Sequence, residues 1–171
     1  MSRKVVETER LILRRLSTAD AQFILELLND PSFLRFIGDK GVRTLEDARS
    51  YVLNGPVRSY ETFGFGMYLA TLKDSSAPIG ICGLLKRDTL QDVDIGFAFL
   101  PGYRGKGYAS EAAQATLIHG KKGYGLSRIV AVTNPDNEAS IGLLEKLGFK
   151  FECMTKLADD APDVKLFAVD T

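Results

Sequence analysis

The feature that most constrains this chain is a change of hydrophobic period partway along it. Residues 65–72 (FGMYLATL), 78–86 (PIGICGLLK) and 92–100 (DVDIGFAFL) are three strand-like runs, split by the polar connectors 73–77 and 87–91. Connectors this short make successive strands antiparallel neighbours. Directly afterwards, ASEAAQATLIHGKKG (109–123) reads as a helix. A meander that feeds a helix must bury both in layers, which points to an α/β or α+β fold around a mixed, mainly antiparallel sheet.

The flanking segments agree. RLILRRL (10–16) alternates as a strand, Ser17 and Asp20 resemble a helix start before AQFILELLND, and TLEDARSYVL (44–53) predicts a second helix closed by Asn54, Gly55 and Pro56. Beyond the long helix come a strand (SRIVAVT, 127–133), a helix (EASIGLLEKLGF, 138–149) and closing strands over 151–155 and 164–169. Gly148 and Phe149 form a helix stop, Gly taking the left-handed position and Phe packing back. No linker, repeat or low-complexity tract divides the 171 residues, so residues 1–171 are expected to form one domain with one core.

Composition narrows the function. The formal net charge is zero, so nothing global draws the chain to nucleic acid or to an anionic membrane. Cys82 and Cys153 lie far apart without CxxC spacing and His119 is the single histidine, so no metal site or disulfide framework is expected. The charged start MSRKVVETER is unlike a signal peptide and no run reaches membrane-spanning length, so the expectation is a soluble, cytoplasmic protein, monomer or homodimer.

Any anion site must therefore be local, and the bend GYRGKGYAS (102–110) is the candidate. It joins a strand to a helix, so free N–H groups and the positive end of the helix dipole meet there, an arrangement that attracts phosphate. Gly105 and Gly107 let the backbone approach a ligand, and Arg104 and Lys106 supply charge. A tight connection with solvated cations uses the same residues without a ligand. A phosphate loop of the GxxxxGK[ST] type is absent, and a dinucleotide fingerprint would need a third glycine where Ser110 stands.

RGKGYA (104–109) resembles the Arg/Gln-x-x-Gly-x-Gly/Ala pyrophosphate signature of the GNAT superfamily of N-acetyltransferases. ETERLILRRLSTADA, PIGICGL, DIGFAFLPGYRGKGYASEA and NPDNEASIGLLEKLGF are similar, in order and spacing, to the branch of RimJ/RimL-type ribosomal-protein N-terminal acetyltransferases. The resemblance implies that strand 92–100 splays from strand 128–133 and opens a wedge for acetyl-CoA. The main chain of Phe97, Ala98, Phe99 and Leu100 would pair with the pantetheine arm. Arg104, Gly105, Lys106, Gly107, Tyr108, Ala109 and Ser110 would surround the pyrophosphate, and Asn137 would contact the cofactor. An asparagine before this helix is equally a natural N-cap.

The implied chemistry is direct attack of an amine on the thioester, which needs a neutral amine and a donor for the departing sulfur. Where many members of the family carry a tyrosine acid, this chain has Leu144, so Ser140 is the candidate donor, with a backbone-bonded serine as its structural alternative. Asp94 matches the family's base position with a shorter side chain, or is an ordinary strand-edge carboxylate. An α-amine of pKa about 7.7–8.0 is far more often neutral near pH 7 than a lysine amine at about 10.4, so weak base candidates favour a protein N-terminal acceptor over a small-molecule amine such as a polyamine, amino sugar or antibiotic. A noncatalytic acyl-CoA sensor is the remaining class. His119 reads as a cation near a helix C-terminus, both cysteines as buried thiols, and residues 33–40 and 59–68 as possible acceptor-groove segments.

Overall fold

Short connectors between the apolar runs produce antiparallel neighbours. In the computed structural model, which describes residues 4–171, β1 (Lys4–Glu7), β2 (Leu11–Arg15), β3 (Met67–Leu72), β4 (Pro78–Leu85) and β5 (Asp94–Phe99) are each antiparallel to the next. β6 (Arg128–Thr133) lies parallel to β5, since a long helix carries the chain back between them. With β7 (Lys150–Lys156) and β8 (Asp163–Asp170), the strand order is β1-β2-β3-β4-β5-β6-β8-β7.

Strand alternation divides the core into two layers. On one face, α1 (Ala21–Leu28) and α3 (Leu45–Val52) bury Ile24, Leu27, Leu28, Ala48 and Val52 against Leu69 and Ile81. On the other, α5 (Tyr108–Tyr124) sets Ala112, Ala113 and Leu117 against Leu84, Ile95 and Ile129, and α6 (Glu138–Lys146) adds Leu144. The small alanines let α5 lie close to the sheet. Each fully buried Leu or Ile contributes about 1.5–3 kcal/mol relative to exposure.

Two local expectations fail for identifiable reasons. The second helix does not stop at Asn54-Gly55-Pro56: Leu53–Val57 form a wider π turn containing Pro56, and the chain continues as α4 (Arg58–Phe63). The missing proline N–H falls where the regular ladder is already interrupted, so it breaks little. Gly64, with φ of 85°, makes the real stop. β1 is an additional strand: its alternation is too short and too charged to read as one, and it exists as the hairpin partner of β2. A short capped helix, α2 (Pro31–Phe36), also falls between α1 and α3, with the Asp30 carboxylate accepting from the amides of Ser32 and Phe33.

Candidate active site

β5 and β6 stay together at one end only. Asp94 pairs with Val130, Val130 N–H donates to Val93 O at 3.0 Å, and Arg128 Nε reaches Asp92 Oδ2 at 3.1 Å. Beyond Val130 there is no further pairing among the described residues, although β5 runs on to Phe99 and β6 to Thr133. The strands part into a wedge, and α5 and α6, each following one of them, both begin at its open end.

Register decides which backbone groups face the gap. Leu100 N–H donates to Ile79 O at 2.9 Å, which sets the even-numbered residues of β5 toward β4 and the odd-numbered ones outward. Phe97 therefore offers its amide and carbonyl to the wedge, and Phe99 its amide. The segment expected to pair with a ligand from Phe97 to Leu100 is narrower than its sequence suggests, because Ala98 and Leu100 are turned to β4 and Phe99 O accepts from Arg104 Nη2 at 2.7 Å.

The bend begins with a single 3-10 turn (Pro101–Tyr103) and passes through Gly105 and Gly107, at φ of 74° and 84°. Gly107 is the residue before α5 and supplies no side-chain cap. Glu111 N–H is satisfied by Gly107 O, whereas the amides of Tyr108, Ala109 and Ser110 have no partner among the described residues. Lys106 is exposed beside them, its Nζ 6.0 Å from the Tyr103 ring.

The guanidinium of Arg104 is engaged within the protein. Its guanidinium binds Phe99 O, Asp30 Oδ2 at 3.0 Å and Ser32 Oγ at 3.1 Å, bolting the bend to the start of α2. Behind the bend is a second clamp that local sequence patterns do not reveal. Arg10 Nη1 donates to Lys106 O at 2.9 Å, its Nε to Glu111 Oε1 at 2.7 Å, and its guanidinium lies 4.3 Å from the centre of the Tyr108 ring. Burial raises the Glu111 pKa, but hydrogen bonds from Thr8 and Arg10 outweigh it and leave the carboxyl below its ordinary value. The acidic first turn of α5 is the sole signal for Glu111, and its partner is 101 residues away.

At the other helix start, Asn137 Oδ1 accepts from Ser140 N at 3.3 Å, so the N-cap expected of it is formed; its amide nitrogen has no hydrogen bond among the described residues. Ser140, in the first turn of α6, is half-buried and its hydroxyl has no hydrogen bond among the described residues. Leu144 is 1% exposed and belongs to the core.

Asp94 sits at the apex of the wedge on the face that carries α1 and α3, 1% exposed. Its Oδ2 accepts from Arg87 Nε at 3.3 Å, while Oδ1 is buried without a partner. Burial pushes its pKa up to about 6, partly opposed by the Arg87 charge. On the same face, a cavity of about 410 Å³ is lined by Lys40, Val42, Asp47, Ser50, Tyr51 and Asn54. Crowding of the Lys40 ammonium, and then the Arg87 charge, lower its pKa, although the residue as a whole is exposed.

The remaining candidates are structural. Tyr60, in the 59–68 segment, accepts from Leu16 N at 3.0 Å and donates to Met67 O. His119 packs edge-on to Tyr68 and Tyr124, and burial lowers its pKa, so it is an uncharged member of an aromatic cluster rather than a helix-end cation. Cys82 is buried against Thr116, but Cys153 is exposed on β7, contrary to expectation, because that edge strand is largely uncovered.

A strand wedge flanked by a glycine bend with free amides suits an extended ligand that carries an anionic group, and comparison with known proteins gives the family. Residues 10–150 match the acetyltransferase (GNAT) domain model, and the chain belongs to that family. It is 35% identical over 147 residues to the uncharacterized N-acetyltransferase YnaD of Bacillus subtilis, covering 86% of this chain and 83% of that one. A GNAT-family acetyltransferase structure from Bacillus anthracis is 30% identical, with a TM-score of 0.79 over 99% of this chain and 98% of that chain. RimL, described as a ribosomal L7/L12 α-N-protein acetyltransferase in complex with coenzyme A, shares the fold at 20% identity, with a TM-score of 0.83 over 98% and 97% of the two chains. The protein is thus an N-acetyltransferase that uses acetyl-CoA.

Proposed function

We propose that this enzyme acetylates an α-amine, preferably a protein N-terminus, in the manner of the RimJ/RimL-type branch, as a cytoplasmic monomer or homodimer. The observation that carries the site assignment is the row of free amides at Tyr108, Ala109 and Ser110 at the mouth of the wedge. In this reading they hold the cofactor's pyrophosphate with Gly105, Lys106 and Gly107, while Phe97 and Phe99 pair with the pantetheine arm as an added strand would. Ala98 and Leu100 shape that edge by side chain, Arg104 keeps the bend in position, and the free amide nitrogen of Asn137 contacts the cofactor.

The acceptor approaches from the face that carries α1 and α3. Its nitrogen forms a bond to the acetyl carbon, the carbon–sulfur bond breaks, and the nitrogen's proton leaves through water to Asp94. A carboxyl with pKa about 6 is mostly ionised at pH 7 and is a stronger base than an ordinary aspartate. The Ser140 hydroxyl donates to the departing sulfur. With this modest base, an amine that is already partly neutral near pH 7 reacts best, which supports an α-amine over a lysine or polyamine. The RimL resemblance in fold points the same way.

The test has two stages. Calorimetric titration with acetyl-CoA, with NADH as control, should give micromolar binding of acetyl-CoA alone. CoA release is then measured with short peptides bearing free N-termini, polyamines and aminoglycosides. Turnover highest on the peptides supports the proposal; turnover confined to polyamines or aminoglycosides overturns the acceptor assignment.

A further inference from the structure

We infer that Arg10 is a cofactor-binding residue, its Nη2 donating to the pyrophosphate of acetyl-CoA beside the open amides of α5. The inference deepens the acetyl-transfer reading and rests on its placement of the pyrophosphate at that helix end. It begins from a nitrogen left over. Two corners of the guanidinium are committed, Nε to Glu111 Oε1 at 2.7 Å and Nη1 to Lys106 O at 2.9 Å, whereas Nη2 has no hydrogen bond among the described residues. That nitrogen stands 3.2 Å from the position a Cβ on Gly107 would take, at the residue that precedes the amides of Tyr108, Ala109 and Ser110.

The side chain is held ready. With the Tyr108 ring centre 4.3 Å from the guanidinium carbon and two hydrogen bonds in place, a long side chain is already fixed, so a further bond to a ligand costs little additional entropy. Glu111 leaves the guanidinium room for an anion: its Oε2 is taken by Thr8 Oγ1 and by Arg10 N at 2.8 Å, and Oε1 alone meets Arg10 Nε. The charge balance at the helix end is unfinished as well. A helix N-terminus favours anions, yet Arg10 and the exposed Lys106 bring two cations to the start of α5 against one acidic residue in its first turn, and Lys106 makes no ion pair among the described residues.

A pyrophosphate completes this arrangement. Its several charged oxygens can accept from backbone amides and from a guanidinium nitrogen at once, and the charge-assisted bond is the strong one. The uncharged pantetheine arm offers Arg10 no such partner. One anion is then held from two sides, by the bend itself and by the residue that opens onto β2, 96 positions before Lys106.

Clamping and ligand binding are separable, because Glu111→Gln breaks the same ion pair while keeping the Arg10 charge. Acetyl-CoA titrations and thermal melts are run on wild type, Arg10→Gln, Arg10→Lys and Glu111→Gln. Arg10→Gln should weaken acetyl-CoA at least tenfold, and added salt should narrow its gap from wild type. Arg10→Lys, which keeps the charge but not the fork, should lose at least threefold and carries the test if Arg10→Gln is unstable. Glu111→Gln should lower the melting temperature as Arg10→Gln does, yet bind acetyl-CoA within about twofold of wild type or more tightly. Equal losses of affinity in Arg10→Gln and Glu111→Gln, or no loss in Arg10→Gln, overturn the inference and leave Arg10 as a clamp. Acetyl-dephospho-CoA, which lacks the 3′-phosphate, should show the same tenfold penalty; a penalty confined to acetyl-CoA overturns the assignment to the pyrophosphate. Lys106→Gln and Gly107→Asp report on the underlying placement: if neither weakens acetyl-CoA, the pyrophosphate lies elsewhere and that reading fails, whereas losses in both with none in Arg10→Gln sink the Arg10 assignment alone.

Discussion

The two helices that open at the wedge, α5 and α6, begin in opposite ways. α6 starts with Asn137, whose side chain accepts the Ser140 amide, so the helix end is finished by its own sequence. α5 starts with Gly107 at φ of 84°, which has no side chain to offer, and the amides of Tyr108, Ala109 and Ser110 stay open. An unfinished helix end costs stability unless something else satisfies it. Here the surroundings are built to keep it open: Arg104 ties the bend to α2 and Arg10 ties it to Glu111, so the loop cannot fold over its own amides. A missing cap held rigidly in place is a stronger sign of a ligand than a row of glycines.

Filling the open end should have the largest effect. Gly107→Asp keeps a residue that tolerates the left-handed region better than most, yet places a carboxylate where the anion would bind and lets it cap the helix. Acetyl-CoA affinity, measured by calorimetry, should fall at least a hundredfold; the melting temperature should fall too, because the new Cβ sits at a φ of 84° and 3.2 Å from Arg10 Nη2. An unchanged affinity would mean that α5 and α6 are no different in function. Gly107→Ser, which can cap without charge, should fall between the two and separate occupancy from repulsion.

Next is the apex of the wedge. Asp94→Asn should lower kcat/KM by roughly ten- to a hundredfold, at the lower edge of what a proton-transfer group supplies, and should remove an ionisation near pH 6 from the pH profile. The same residue makes a stability prediction. Its native pKa of about 6 lies above the ordinary 3.8, so the native state binds the proton more tightly than the unfolded chain. Its stabilising contribution is present below pH 4 and is lost as pH rises through 6. Denaturant melts should therefore show Asp94→Asn gaining on wild type between pH 4 and pH 8, by about 2–3 kcal/mol. A constant difference across that range would remove the buried-carboxylate account.

Ser140→Ala sharpens the α6 side of the comparison, because Ser140 contributes its backbone amide to the cap and its hydroxyl to the proposed chemistry. The amide survives the substitution and the hydroxyl does not. About a tenfold fall in kcat with acetyl-CoA affinity retained would assign the hydroxyl to the departing sulfur. No change in kcat would leave Ser140 as a capping partner alone.

How far these sites can be read from sequence follows from how local their causes are. Strand runs, the long helix and the glycine bend rest on neighbouring residues, so their positions in the structure agree with the pattern to within about two residues at most ends. Asn137 was legible as a cap for the same reason. The clamps were not: Arg10 meets Glu111 across 101 positions and Arg104 meets Asp30 across 74, and no periodicity records such a pairing. Arg104 is the instructive case, since its motif position is visible in the sequence while its partners Asp30 and Ser32 are not. Asp94 matches the family's base position in the sequence, but its burial and its bare oxygen emerge only when β6 packs beside it. The helical run through Pro56 stayed hidden because a π turn leaves no composition of its own.

The smallest effect expected is at Asn137, and it carries the comparison to its limit. Asn137→Ala removes the cap and should cost about 1 kcal/mol of stability, whereas Asn137→Gly should cost only a few tenths, since glycine is nearly as good before a helix. Both substitutions also remove the amide nitrogen assigned to the cofactor. If Asn137 acts only as a cap, loss of acetyl-CoA affinity should follow loss of stability, with Ala worse than Gly. If the amide nitrogen touches the ligand, both variants should lose affinity equally, by a few-fold, although only one is appreciably destabilised. Paired melting curves and titrations on the two variants decide whether α6, like α5, does more at its start than end itself.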